Sequence, residues 1–370
     1  MASMLDVLSD LKLKKQLLDP PVVDLAYRRK LADGKEPRKS WEKKFALASE
    51  PPVSLTEHEF HYFGLAGPQI SQEEANSHVG KVRQTELHDL CNSDLWVATS
   101  GDKALFELVL RGANLPVVET LGVLSKSLRS GFEIQMHTKQ DLKSFLIEQQ
   151  LPIFCKPIDG MFGIGTFIVD ALDGEKIFLR GRPSETLDDF YSYITKFSRT
   201  GYLFQRVIRQ TISLTQLIGA GVATIRFLIF TTPHPRIVSA VLRGAPASSI
   251  CDNFWQPGSL LASIDVNTGQ IANALLNEDS VISSISRVPS TSHRIEGVRI
   301  EQWEEAVKLV LQAACLFPMV RTQSWDIALS EDGPIAVEYN WGGDLNIHQL
   351  ANRRGIYDET YKDHVLFCQA

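Results

Sequence analysis

Between Leu151 and Val169 the chain reads LPIFCKPIDGMFGIGTFIV. An apolar run ends in Lys156-Pro157, a loop carrying Gly160, Gly163 and Gly165 follows, and a second apolar run begins at Thr166. Strands favour apolar, β-branched and aromatic residues, whereas a tight loop lying against a ligand needs residues without side chains. The stretch therefore predicts strand, glycine-rich turn, strand. Such a hairpin can lay backbone N–H groups over phosphate oxygens, with the Lys156 ammonium beside them as a point charge. The loop returns into a strand, which argues against a Walker loop or a Rossmann turn, since both lead into a helix. Taken alone, the same residues also describe an ordinary hairpin whose Lys156 is a solvated strand end, and the far end of the chain has to decide.

With 370 residues, 44% of them hydrophobic, the chain can bury more than one core, and two or three domains or lobes are expected. A formal net charge of -6 advertises neither nucleic acid nor an anionic membrane as partner. No apolar run approaches the roughly 20 residues that span a bilayer, and MASMLDVLSDLKLKKQ lacks the order of a signal peptide, so a soluble cytoplasmic protein is expected. Cys91, Cys155, Cys251, Cys315 and Cys368 form no CxxC pair, a pattern of reduced intracellular thiols rather than of a disulfide frame or a zinc site. Cys155 reads as a small core residue beside Lys156.

Residues 1 to about 50 show helical periodicity at Leu5, Val7, Leu8 and Leu11 and a basic run from Tyr27 to Lys30. After Pro51-Pro52, Ser54 to Glu57 opens a helix in capping style, and Ser71 with Glu74 repeats the signal before a longer helix ending near Cys91. From Gly101 helices and strands alternate: an amphipathic helix from Asp102 to Gly112, a strand led in by Leu115 to Val118, and a helix from Thr138 to Gln149. Tyr202 to Ile208 is a strand whose end can hold a purine by main-chain pairing, or is simply core. The strands Ala223–Phe230 and Ile237–Arg243 carry Arg226 and Arg243. An arginine inside an apolar strand needs a carboxylate or phosphate to offset its desolvation, so Arg226 reads either as a grip on phosphate or substrate, or as half of a structural ion pair. Residues 277 to 298 read as a long surface connection, and Arg299 to Phe317 as an amphipathic helix.

The last pair of strands decides between these readings. Gln323–Leu329 and Pro334–Asn340 flank the turn Ser330-Glu331-Asp332-Gly333. Glu338 and Asn340 are two apart and share a face, and Asp326 stands at a similar distance from the turn. Two carboxylates and an amide oxygen then converge, which repels unless a cation is present, and this oxygen set suits Mg²⁺.

A strand lysine, a glycine hairpin and a late Asp with Glu-x-Asn occur in the order seen in the ATP-grasp superfamily, and the chain resembles its sugar-transfer-associated branch over about residues 95 to 355. The matching stretches are Asp102-Lys103, Cys155-Lys156-Pro157 with Asp159-Gly160, Thr224-Ile225-Arg226, Asp252-Asn253-Phe254, Trp325-Asp326 and Glu338-Tyr339-Asn340. The resemblance implies an α+β ATP-grasp fold of two lobes sandwiching ATP: a helical N-terminal lobe over 1–95, a nucleotide lobe over 96–205 and a C-terminal lobe with the metal site over 206–370. It implies ATP and Mg²⁺ as cofactors. Lys103 and Lys156 would contact phosphates, Gly160, Gly163 and Gly165 would form the lid, and Gln205, Arg206 and Val207 would line the adenine. Asp326, Glu338 and Asn340 would hold the metal, with Arg226 and Lys156 acting on the transferred phosphoryl group. The implied activity is ligation of a small-molecule carboxylate to an amine through an acyl phosphate, with no nucleic acid or membrane partner and with a homodimer allowed. A small-molecule kinase and a non-catalytic nucleotide-binding protein are the alternatives. Two departures stand out: bulky Met161 and Phe162 in the lid, and Gln205-Arg206 where many relatives have a glutamate.

Overall fold

The computed structural model describes residues 39–278 and 281–370 together with the short strand Val23–Asp24. The periodic segment at Leu5 and the basic run at Tyr27 lie outside the described residues. Two sheets organise the chain. The strands are β1 (Val23–Asp24), β2 (Thr120–Leu124), β3 (Gln135–Met136), β4 (Ile153–Pro157), β5 (Phe167–Asp173), β6 (Lys176–Leu179), β7 (Glu185–Thr186) and β8 (Tyr202–Arg206). They continue as β9 (Ala223–Phe230), β10 (Arg236–Gly244), β11 (Leu260–Ile264), β12 (Ile271–Glu278), β13 (Val281–Ser284), β14 (Thr322–Ser330) and β15 (Gly333–Trp341). The smaller sheet runs β3-β2-β8-β4-β5-β6-β7 and the larger β1-β13-β12-β11-β10-β9-β14-β15.

Each sheet has its own core. In the larger one, alternate residues Ile225, Phe227 and Ile229 of β9 and Trp325, Ile327 and Leu329 of β14 pack with the helix Trp303–Ala314. The residues between them, Arg226 and Asp326 among them, consequently face the other side. In the smaller sheet Ile153, Cys155, Phe167 and Phe204 pack under the helices Lys139–Glu148 and Leu187–Phe197. Cys155 is buried there, as expected of a core thiol.

Three sequence expectations need correction. The helix after Pro51-Pro52 is capped by Thr56, not Ser54: Thr56 and Glu59 exchange bonds in a capping box at the head of Glu57–Tyr62. The helix expected to run to Cys91 is two helices, Gln72–Asn76 and Lys81–Cys91, the second starting at Gly80, where a Cβ would meet the Ser54 carbonyl oxygen. The stretch 277–298 contains the end of β12 and all of β13, and its Val281 and Ile282 are buried. Ser283 and Ser284 hide that strand from a hydrophobicity pattern.

Candidate active site

The two sheets meet at the end of β4. Desolvation is the main force on Lys156, which is 6% exposed. Burial pulls its ammonium down to about 8, with Glu338 opposing the shift and Lys103 adding to it. Its Nζ donates to the Val337 carbonyl of β15 at 3.4 Å. Lys103 opens the helix Lys103–Gly112, whose N-cap Asp102 accepts from the N–H groups of Ala104 and Leu105. From that position its Nζ reaches the Gly160 carbonyl at 2.5 Å and lies 3.7 Å from Glu338 Oε2. Two lysines from the smaller lobe thus stand against the strand of the larger lobe that carries Glu338 and Asn340.

The glycine loop follows β4 directly. Gly163 and Gly165 adopt φ of +71° and +74°, in the left-handed region that residues with a Cβ avoid. Phe162 also sits there, at φ 58°. The loop is fastened to the larger lobe: Thr166 Oγ1 donates to the Gly163 carbonyl at 2.7 Å and lies 3.1 Å from Cys251 Sγ, and Asn253 Nδ2 donates to the Phe162 carbonyl at 3.4 Å. Phe162 packs toward the cluster of Phe254 and Trp255, while Met161 points to solvent. The bulky lid residues are therefore one anchor and one exposed tip.

Asp326 is opposite Glu338 on one side and opposite Arg226 on the other. A β-bulge after Asp326 shifts the register, so Glu338 and Asn340 keep a common face while Val337 is displaced. Arg226 grips Asp326 through Nε at 2.7 Å and Nη2 at 2.6 Å, and Arg243 Nη2 lies 2.9 Å from Asp326 Oδ2 and 3.2 Å from Asp252 Oδ2. Burial raises the Asp326 carboxyl, but the guanidinium groups of Arg226 and Arg243 overcome it and hold the group well below the usual carboxylate range. Asp252 goes the other way, pushed up by burial despite Arg243. Arg226 is thus ion-paired with Asp326, and both carboxylate oxygens of Asp326 accept from it.

The remaining oxygen donors fit a hard cation. Glu338 is half-buried and faces Lys103, and the side-chain Nδ2 of Asn340 is buried without a hydrogen-bond partner. A buried amide nitrogen without a partner calls for one. Because amide nitrogen and oxygen are interchangeable by a flip, the same group offers Oδ1 to that position. Carboxylate and amide oxygens are the donors Mg²⁺ takes.

The side chains on the strand expected to meet adenine have protein partners. Gln205 is buried, and its Nε2 donates to Thr120 Oγ1 at 3.0 Å and lies 3.4 Å from Glu107 Oε2. Arg206 is tied to Glu119 at the surface at 2.6 Å. Val207 lies just beyond the end of β8. Glu107 is the residue sequence reasoning passed over. It lies in the helix read as amphipathic, with no role given it there, and it is buried with its carboxyl raised by desolvation.

Residues 82–363 match the family described as sugar-transfer associated ATP-grasp. The chain belongs to that family. Several solved structures also match the chain at low identity. D-alanine–D-alanine ligase from Bacillus anthracis shares 14% identity, with 78% of this chain and 74% of that chain covered and a TM-score of 0.42. The biotin carboxylase β,γ-ATP complex from Campylobacter jejuni shares 11%, with 76% and 48% covered and a TM-score of 0.45. N5-carboxyaminoimidazole synthase from Aspergillus clavatus shares 11%, with 71% and 51% covered and a TM-score of 0.38. The chain thus spans about half the length of the last two. No curated protein matches it. This ATP-grasp chain has no helix among the described residues long and apolar enough to cross a membrane.

Proposed function

We propose that this protein is an ATP- and Mg²⁺-dependent ligase that joins a carboxylate to an amine through an acyl phosphate, its substrates drawn from amino acids, peptides or sugar-linked acids. The observation that carries the reading is the meeting of Lys103 and Lys156 with the strand that bears Glu338 and Asn340. Cationic side chains from one lobe and oxygen donors from the other are what a metal-bound triphosphate needs on its two sides.

In this reading Lys103 and Lys156 bind the phosphates, and the backbone of the Gly160–Gly165 loop covers them. The adenine edge meets main-chain groups at the end of β8 and Val207, because Gln205 and Arg206 are otherwise engaged. Glu338 and Asn340 would hold the metal, with Asp326 behind them. When bound, the ion supplies charge neutralisation at the triphosphate. Arg226 uses Nε and Nη2 for Asp326, leaving Nη1 outside that pair for the transferred phosphoryl group or the acceptor. The lid, fastened through Thr166 and Asn253, excludes the water that would hydrolyse an acyl phosphate.

The test is ADP release by purified protein given Mg²⁺-ATP and a panel of acids and amines. Release that requires both partners, with a new amide seen by mass spectrometry, supports the assignment. A stable phosphorylated hydroxyl formed without an amine would replace it with a kinase, and absence of both turnover and nucleotide binding would end it.

A further inference from the structure

Away from the cleft, three soft ligand groups converge. The helix Lys81–Cys91 ends at Cys91, and the helix Glu359–Gln369 presents His364 and Cys368 one turn apart on a single face. Among the described residues this is the one place where three His, Cys, Asp or Glu side chains bring ligand atoms within 4.8 Å of one another. We propose that Cys91, His364 and Cys368 form a zinc site that pins the C-terminal helix to the helix Lys81–Cys91.

The imidazole is held as a metal ligand is held. Its ring stacks on Phe230 at 3.9 Å with an interplanar angle of 2°, and Nδ1 is 2.7 Å from Thr232 Oγ1. A hydroxyl behind one ring nitrogen fixes the orientation of the other. Cys368 Sγ lies beside both ring nitrogens, 3.8 Å from Nε2 and 3.9 Å from Nδ1. A tetrahedral ion about 2.3 Å from sulfur and about 2.1 Å from nitrogen sets these atoms about 3.6 Å apart, so the side chains need only a small adjustment. Thr322 Oγ1, now 2.9 Å from Nε2, turns aside to admit the ion. Cys91 is positioned independently, because its neighbour Asn92 exchanges hydrogen bonds of 2.8 and 3.0 Å with the backbone of Thr322.

Binding balances in charge. Zn²⁺ displaces one proton from each of the two thiols, giving a neutral bis-thiolate centre with His364 as third ligand and water as fourth. Neutrality matters because Cys91 and His364 are 3% and 1% exposed. Cys91 lies far from His364 and Cys368 in the chain, so the three do not register as one spacing motif and the cysteines read from sequence as unrelated thiols.

The full chain, purified under reducing conditions, is incubated with Zn²⁺, passed through gel filtration and analysed for metal by mass spectrometry. About one zinc per chain is expected to be retained. Cys368→Ser, at a half-buried position that tolerates the change, abolishes retention, as does His364→Ala, while Glu338→Gln keeps it and so separates this site from the cleft. Thr232→Val weakens retention by roughly 10- to 100-fold. Loading with Co²⁺ gives thiolate-to-cobalt charge-transfer absorption that Cys368→Ser removes. The proposal is overturned by wild-type protein that emerges without zinc, by Cys368→Ser retaining it like wild type, or by a Cys91–Cys368 disulfide under reducing conditions.

Discussion

Arg226 and Asp326 face each other across neighbouring antiparallel strands, and one guanidinium holds both carboxylate oxygens, at 2.7 and 2.6 Å. Asp326 is 2% exposed and also meets Arg243. Removing one partner of a buried charge cluster leaves the others uncompensated, so Asp326→Ala is expected to cost about 3–5 kcal/mol. The urea midpoint measures it. Because the folded carboxyl titrates below its unfolded counterpart, the stabilisation is complete above the unfolded pKa and is lost as pH falls through the folded one. A loss under about 1 kcal/mol would mean that the cluster is solvated and its charges independent.

Lys156 invites the opposite result. Burial disfavours its charged form, so the ammonium is a cost to the folded protein at neutral pH. Lys156→Met, which keeps the stem and removes the charge, is expected to leave stability unchanged or raised while abolishing nucleotide turnover. Calorimetric melting together with an ADP assay separates the two effects. A large drop in melting temperature would make Lys156 a structural residue, paired for the sake of the fold.

How much of this could be read from the chain follows from which signals are local. Glu338, Asn340 and Asp326 stand out because each interrupts an apolar strand, and Lys156 because it ends one beside a glycine loop. The partner of Asp326 was not legible. Arg226 sits in β9, a hundred residues earlier, and only the strand order β9-β14-β15 sets them side by side. Glu107 was missed for a related reason: helical periodicity places it on a helix but cannot tell that strands β2 and β8 bring Thr120 and Gln205 over it. Sequence pattern exposes a polar residue where its own strand is apolar. It is silent where the burial comes from another element.

Gln205 and Glu107 are then testable as a buried pair. Gln205→Glu would put a carboxylate against Glu107, whose own carboxyl already sits above its ordinary value because of burial. Two buried carboxylates at that separation repel, and a destabilisation of about 2–3 kcal/mol is expected. Glu107→Gln in the same chain should restore most of it, since amide and carboxylate then exchange roles. A double-mutant cycle by urea denaturation gives the coupling; additivity would show that the two side chains do not interact.

A lid glycine and a turn glycine between β5 and β6 make a matched pair. Gly163 and Gly174 both have positive φ, +71° and +60°, so alanine at either stores about 1–2 kcal/mol of backbone strain. They differ in surroundings: a Cβ on Gly163 would come within 2.8 Å of Cys251 Sγ, whereas one on Gly174 meets nothing within 4 Å. Gly163→Ala should therefore lose at least as much stability as Gly174→Ala, and it alone should lift the loop off Cys251 and slow turnover. Equal turnover in the two would show that the loop does not close over the reaction.

The depressed Lys156 also predicts a proton linked to nucleotide binding. In the free protein its ammonium releases its proton at about pH 8, under burial and the nearby Lys103. A triphosphate placed beside it favours the charged form and raises that value, so at pH between the free and bound pKa the complex holds a proton the free protein lacks. Binding is then expected to take up close to one proton at pH 8.5–9 and almost none at pH 6.5, where Lys156 is charged in both states. Affinity should fall correspondingly as pH rises past about 8, while stability of the unliganded protein should rise there, because the unfolded lysine keeps its proton and the folded one does not. Titration calorimetry of an ATP analogue in buffers of different ionisation enthalpy measures the uptake directly. An enthalpy independent of buffer at pH 8.5, in protein that still binds the analogue, would mean that Lys156 does not contact the phosphates.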